Sequence, residues 1–197
     1  MRPKGTTKSR KIITSKEYKE LFNYLNRTDE FKTHSIKNAK KSFALLFYGG
    51  FRVSEIINFT NQDLFEILKN KEFSLSNNTK TKKPRMVYFS DNAIKELKLI
   101  FRENLTESSN YLLLRSWGKP HNNFSAHTIQ RQLNIILKIA LGQNYTTHSF
   151  RAGIITEMAI SGINTKIIQE FINHSNVSTT LRYIKPTEKD IKKSLVR

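Results

Sequence analysis

Thr147-His148-Ser149-Phe150-Arg151, taken with Asn173-His174 and Tyr183 downstream, is the stretch on which the reading of this chain turns. The residues between these points have helical apolar spacing, which places two histidines, an arginine and a tyrosine in one run of helices. An imidazole moves a proton near neutral pH. A guanidinium grips a phosphate through two parallel hydrogen bonds. A tyrosine hydroxyl becomes a covalent nucleophile once a base or cations activate it. Together these groups suit attack on a phosphodiester without a metal. A lone His or Tyr in such a segment is as a rule a packing or surface residue, so the reading depends on what the rest of the chain supplies.

The helices around this stretch are predicted over 147–160, stopping at Gly162, over 164–172, and over 177–184 with Tyr183 near its end. Pro186 interrupts, and 187–196 reads as a basic, weakly amphipathic terminal helix. Upstream, Ser125 caps a helix with Ile129, Leu133, Ile136, Leu137 and Ala140 on one face, ended by Gly142. Ser90 or Asp91 caps another, with Ile94, Leu97, Ile100, Phe101 and Leu105. Trp117, in a polar loop, is read as half-buried rather than as a base-stacking residue.

Residues 72–76 and 85–89 read as two strands of a β-hairpin, with a basic tip over 77–84. Such a tip enters a groove as readily as it stays a solvated loop. Further back, helices are predicted at 15–26, with a Thr14/Glu17 capping box, and at 35–48. Gly49-Gly50 ends the second, and a new helix starts at Arg52 or Val53. Arg52 therefore sits at the edge of a core with its head near a site, and Glu55 one turn on is placed to orient it. Residues 1–13 carry several Lys and Arg and no acid, which reads as a flexible basic arm. An arm laid along phosphates and a solvated tail fit that composition equally.

The chain has 197 residues, with 34 Lys and Arg against 16 Asp and Glu, a formal charge of +18. That field favours polyanions, nucleic acid first and an acidic membrane surface second. There is no cysteine, which excludes disulfides and thiolate metal sites. No apolar run is long enough to span a membrane, and the basic N-terminus is not followed by an apolar signal segment. The expectation is an intracellular protein with access to DNA or RNA, of mainly α class with a small antiparallel β-sheet (α+β). It divides into an arm at 1–13, a main domain at 14–186 and a helical tail at 187–197.

These residues resemble the tyrosine site-specific recombinases, the phage integrase family, over nearly all of 12–186, the span of that family's catalytic domain. Tyr48-Gly49-Gly50-Phe51-Arg52-Val53-Ser54-Glu55-Ile56 is similar to the family's "TGLRxSEL". Thr79-Lys80-Thr81-Lys82-Lys83-Pro84-Arg85-Met86-Val87 is similar to its "GKGxKxRxVP" turn, which points to Lys80. His148-Ser149-Phe150-Arg151 is its HxxR, Asn173-His174-Ser175-Asn176-Val177-Ser178-Thr179-Thr180 is similar to "GHSSxxTT", and Tyr183 falls where the nucleophile is expected. Each piece is weak alone; the six residues Arg52, Lys80, His148, Arg151, His174 and Tyr183 in this order are a strong signal. Asn173 stands where the family has glycine, and asparagine tolerates the positive φ such a turn needs. Most of the family carry a separate N-terminal domain that completes a clamp around DNA, whereas here at most a basic arm precedes the catalytic domain. The small fimbrial-type DNA invertases have a similar single-domain size.

The resemblance implies a recombinase that cleaves and rejoins DNA through a 3′-phosphotyrosine, with Tyr183 as nucleophile. It also implies His148 as base, Arg52 and Arg151 as phosphate clamps, His174 as a further donor and Lys80 as acid for the leaving 5′ oxygen. Lys82, Lys83 and Arg85 on the hairpin and Lys8, Arg10 and Lys11 on the arm are the expected DNA contacts. No cofactor or metal is expected. The implied partners are double-stranded DNA carrying a specific site, a homotetramer on two duplexes, an accessory DNA-bending protein, and no membrane. Two alternatives use similar residues or the same fold: a type IB topoisomerase that relaxes DNA, and a DNA-binding regulator on a degenerate recombinase fold. Integration, excision, inversion and resolution differ in site arrangement, which the sequence does not carry.

Overall fold

The structure, a computed structural model, describes residues 11–75, 84–105, 112–113, 125–173 and 177–181. Its centre is α2 (Thr33–Gly49). In its second half the run Ser42-Phe43-Ala44-Leu45-Leu46 is buried at all five residues. A stretch buried on every side must be enclosed by other elements, and α2 is packed by α1 (Ser15–Arg27), α3 (Val53–Ile56), α5 (Asp91–Ile100) and α7 (His148–Ile160). Phe43 stacks on Phe150 of α7 at 5.5 Å between ring centroids, and Tyr18 of α1 stacks on Phe47 at 4.0 Å.

The start of α1 is fixed as its sequence predicts. The Thr14 side chain accepts from the Lys16 amide at 3.2 Å, and Glu17 reaches back to the Thr14 amide at 3.0 Å. Residues 11–13, expected in the flexible arm, belong instead to the domain. Ile13 is buried and its amide donates to the Ser149 carbonyl at 3.1 Å. Gly153 admits that approach, because a Cβ there would lie 2.1 Å from the Ile13 carbonyl oxygen.

α2 ends at Gly50, whose φ of 57° is left-handed. The chain then reverses into Phe51, which is wholly buried among Phe59, Phe73 and Phe89. After α3 comes α4 (Asn61–Asn70), which the apolar spacing read above did not anticipate. Its signal was a second capping box, Thr60 with Asp63, ahead of Leu64 and Ile67. The hairpin pairs β1 (Glu72–Leu75) antiparallel with β2 (Arg85–Tyr88) in the register Phe73↔Val87 and Leu75↔Arg85. Successive side chains alternate across a sheet, so Phe73, Leu75, Val87 and Arg85 all face inward and are buried.

Beyond α5 a 3-10 turn (Arg102–Leu105) precedes α6 (Ala126–Leu141), whose Ser125 cap accepts from Thr128 as predicted. α7, α8 (Thr165–Ile172) and α9 (Val177–Leu181) follow. Ile155, Ile168 and Ile172 seal α7 to α8 in a small second core. The expected class, mainly α with a small antiparallel sheet, is the class observed. Among the described residues no helix is long and apolar enough to cross a membrane.

Candidate active site

A helix leaves its last carbonyls without intrahelical partners. At the end of α8 three consecutive carbonyls each accept from a different arginine. Arg85 Nη1 donates to Phe171 O at 2.9 Å, Arg151 Nη2 donates to Ile172 O, and Arg52 Nη2 donates to Asn173 O at 3.1 Å. The negative end of the helix dipole favours cations there. Asn173 makes the arrangement possible by taking φ 54°, ψ 52°, the left-handed conformation anticipated from its place in the family's glycine position. A second anchor is the turn after α2: Gly50 O accepts from Arg151 Nη1 at 2.5 Å and Arg85 Nη2 at 3.3 Å.

Glu55 closes the arrangement from the other side. Its carboxylate accepts from the Arg52 amide and from Arg52 Nη1, both at 2.7 Å, and from Arg85 Nη2 at 3.0 Å. Burial alone would push this carboxyl up. The Arg85 charge, the Arg52 amide and the Arg151 charge outweigh it and hold the group below its ordinary value. Burial pulls the Arg85 guanidinium below its ordinary value, and Glu55 opposes that shift. One buried carboxylate thus stands against three guanidinium groups, an excess of positive charge in a poorly hydrated place. Such a surplus is costly unless an anion comes to it.

The place for an anion is adjacent. Arg52, Ser54, Gln130, Thr147, His148 and Arg151 line a cleft of about 100 Å³. α6 and α7 set the position of His148: the Thr147 amide donates to Asn134 Oδ1 at 2.8 Å, and the Thr146 amide to Ser149 Oγ at 3.1 Å. His148 is the first residue of α7 and is exposed, and Arg151 follows one turn on, on the same side. Arg52, His148 and Arg151, drawn from sequence segments a hundred residues apart, meet at this one cleft.

The other expected site residues divide in two. Lys80, His174, Tyr183, Lys8, Arg10, Lys82 and Lys83 lie outside the described residues. Asn173, whose carbonyl Arg52 holds, immediately precedes His174, and α9 ends two residues before Tyr183. Lys11 is exposed, with its ammonium 5.5 Å from the Tyr145 ring centroid. Arg85 is corrected. It was expected among the hairpin's DNA contacts, at the start of the second strand, but β2 turns it inward, where it is 6% exposed and committed to Glu55, Gly50 and Phe171. Strand alternation with Val87 was the signal that could have placed it there.

The chain matches the phage integrase family over residues 11–190. It is 32% identical to the tyrosine recombinase XerA of Pyrococcus furiosus over 189 residues, covering 95% of this chain and 61% of that protein. It is 27% identical to a probable integrase/recombinase of Acholeplasma phage L2 over 162 residues, covering 79% of this chain and 53% of that protein. The chain therefore spans between about half and two thirds of the length of these curated relatives. In fold it is similar to the crystal structure of XerA recombinase, at TM-score 0.70 and 21% identity, covering 98% of this chain and 65% of the other. It is similar also to the Tn1549 transposon integrase in complex with transposon right end DNA, at TM-score 0.73 and 19% identity, covering 98% and 67%.

Proposed function

The chain belongs to the phage integrase family, and from that premise we propose that it is a site-specific recombinase, cleaving and rejoining DNA strands through a covalent tyrosine. The observation that carries this reading is the cleft where Arg52, Arg151 and His148 converge, with the two guanidinium groups anchored by backbone carbonyls and Glu55. Preorganised donors of this kind act most strongly where charge concentrates, at the pentacoordinate phosphorus of the transition state.

In the proposed step the Tyr183 oxygen attacks the scissile phosphorus. A P–O bond forms to tyrosine, and the bond to the 5′ oxygen breaks. His148 takes the phenolic proton, and Lys80 gives a proton to the departing 5′ oxygen. A free tyrosine titrates near 10, so the surrounding cations matter for the nucleophile as well. His174 adds a donor to the non-bridging oxygens. The 3′-phosphotyrosine keeps the energy of the broken bond, so the 5′-hydroxyl of another strand reverses the step without ATP, and the cations that do this work belong to the chain rather than to a metal.

Exchange between two duplexes takes four such sites, hence a homotetramer on DNA in the cytoplasm, assisted by a DNA-bending protein. In this reading the basic residues at 1–10 and on the hairpin tip lie along phosphates, and the tail at 187–197 docks on a neighbouring subunit.

The test uses nicked suicide duplexes tiled from the DNA flanking the gene, incubated without metal. Wild type is expected to leave a protein–DNA adduct that survives denaturing electrophoresis, and Tyr183→Phe to bind the same duplex and leave none. An adduct in that variant would move the nucleophile elsewhere. Tight binding with no adduct from wild type would favour a regulator.

A further inference from the structure

Arg85 is the guanidinium that the proposed chemistry does not use. It comes from β2, not from a helix bordering the cleft, and it is more enclosed than Arg52: 3% of its side chain is exposed against 21%. Its donors reach three acceptors that belong to three other parts of the site. Nη1 holds the end of α8 at Phe171 O, and Nη2 is shared between Gly50 O and Glu55. Its guanidinium carbon lies over the ring of Phe51, the residue before Arg52, at 5.6 Å from the ring centroid. Both of the other acceptor groups are also acceptors for the site arginines: Gly50 O for Arg151, and the Glu55 carboxylate for Arg52.

We infer that Arg85 is a positioning residue of the cleft: it fixes Glu55, Gly50 O and the end of α8, and balances the Glu55 charge, so that Arg52 and Arg151 face the cleft in set positions with net positive charge. A planar fork with several donors suits this task, because it meets acceptors in fixed directions at once. A lysine would supply the charge but not the fork. Without any cation at this position, the Glu55 carboxylate would draw on Arg52 and Arg151 alone, which halves the positive surplus at the cleft and frees the end of α8 from β2.

This inference rests on the recombinase reading for its kinetic consequence but not for its structural one, and the two are measured separately. The first measurement is on the free protein. The guanidinium Nη–H signals of Arg52 and Arg151, assigned by Arg52→Lys and Arg151→Lys, are recorded by nitrogen-15 NMR in wild type, Arg85→Met and Arg85→Lys. Held guanidinium groups rotate slowly and give resolved signals. Arg85→Met is expected to broaden both sets, and Arg85→Lys to keep part of them. Unchanged signals in Arg85→Met would overturn the inference.

The second measurement is the cleavage rate constant at saturating suicide duplex, alongside the dissociation constant for the same duplex. Arg85→Met is expected to cleave about 10²-fold more slowly, on the scale of losing a transition-state donor, with a much smaller change in the dissociation constant. Arg85→Lys is expected to recover part of the rate. A weaker dissociation constant with a shallower salt dependence and an unchanged rate would make Arg85 a phosphate contact instead, and overturn the inference. If wild type forms no adduct, the recombinase reading fails, while the NMR signals still decide the positioning role. If Arg85→Met does not fold, Arg85→Lys decides alone: its signals and rate must fall between wild type and the background.

Discussion

Glu55 and Glu103 each hold a cation at hydrogen-bonding distance, and the two pairs would look alike in a table of distances. Glu55 lies 3.0 Å from Arg85 and Glu103 lies 2.7 Å from Lys37. Their surroundings differ completely. The Glu55 and Arg85 side chains are 1% and 3% exposed, whereas those of Glu103 and Lys37 are 53% and 50% exposed. In the first region water has been replaced by three guanidinium groups and by the carbonyls of Gly50, Phe171, Ile172 and Asn173. In the second both charges stay open to solvent. Enclosure, not the shorter distance, decides what an ion pair does: the long pair organises a site, and the short one decorates a surface.

The sharpest way to break this comparison is to remove one carboxylate from each region. Glu55→Ala leaves Arg52 and Arg85 facing each other without their counter-charge. It is expected to cost about 3–5 kcal/mol of unfolding free energy, read by urea denaturation. A loss as small as that of a surface pair would mean that solvent reaches the network. The pH dependence carries the same contrast. The Glu55 carboxyl is held below its usual 4.5 in the folded chain, despite its burial, by Arg85 and the other partners. A group depressed on folding contributes stability above its unfolded value and loses it as the pH falls through the folded one. Glu55→Gln is therefore expected to flatten the fall in stability below about pH 4.5. A fall of unchanged steepness in that variant would assign the acid sensitivity to other carboxylates.

Asn173 tests the backbone half of the enclosed region. Its carbonyl is the Arg52 acceptor only because φ is 54°. A Cβ in that conformation crowds the following carbonyl, a strain that asparagine tolerates better than alanine and glycine does not feel. Asn173→Ala is expected to cost about 1 kcal/mol, with Asn173→Gly close to neutral by the same denaturation. Equal losses in both would show that the asparagine side chain, rather than its backbone, is what matters.

Much of the exposed chemistry was legible in the sequence, and the enclosed network was not. Periodicity and caps placed α1, α2, α5, α6, α7 and α8, because each has an apolar face and a stop signal that act locally. Arg52, His148 and Arg151 were legible as a set through their family motifs, and they meet at one cleft. The role of Arg85 was misread because a hairpin of lysines beside it made charge the loudest signal. Its inward direction depends on register with Leu75, a fact about pairing rather than about composition. The capping of three carbonyls at the end of α8 by arginines from β2, α7 and the turn before α3 is likewise invisible locally, since two of the three bonds join residues 86 and 121 positions apart. Residues 11–13 were read as arm because three residues are too few to show a pattern, and only the docking of Ile13 beside Gly153 shows where they belong.

The smallest effect is also the most discriminating for the exposed region. Lys37→Ala is expected to change stability by less than about 1 kcal/mol, the ordinary range for an exposed pair. Glu103→Ala should cost somewhat more, although it breaks the same contact. Glu103 is held below its usual value by the Lys37 hydrogen bond, with Lys41 and Arg102 acting in the same direction. Removing Glu103 leaves those cations together on a chain of formal charge +18, whereas removing Lys37 relieves part of that repulsion. The difference between the two variants should shrink as salt rises from low to physiological, because exposed charges are screened over about 10 Å at 0.1 M. Denaturation of both variants at two salt concentrations measures it. A difference that survives high salt would mean that this pair, too, is shielded from water, and the contrast with Glu55 would then be one of degree.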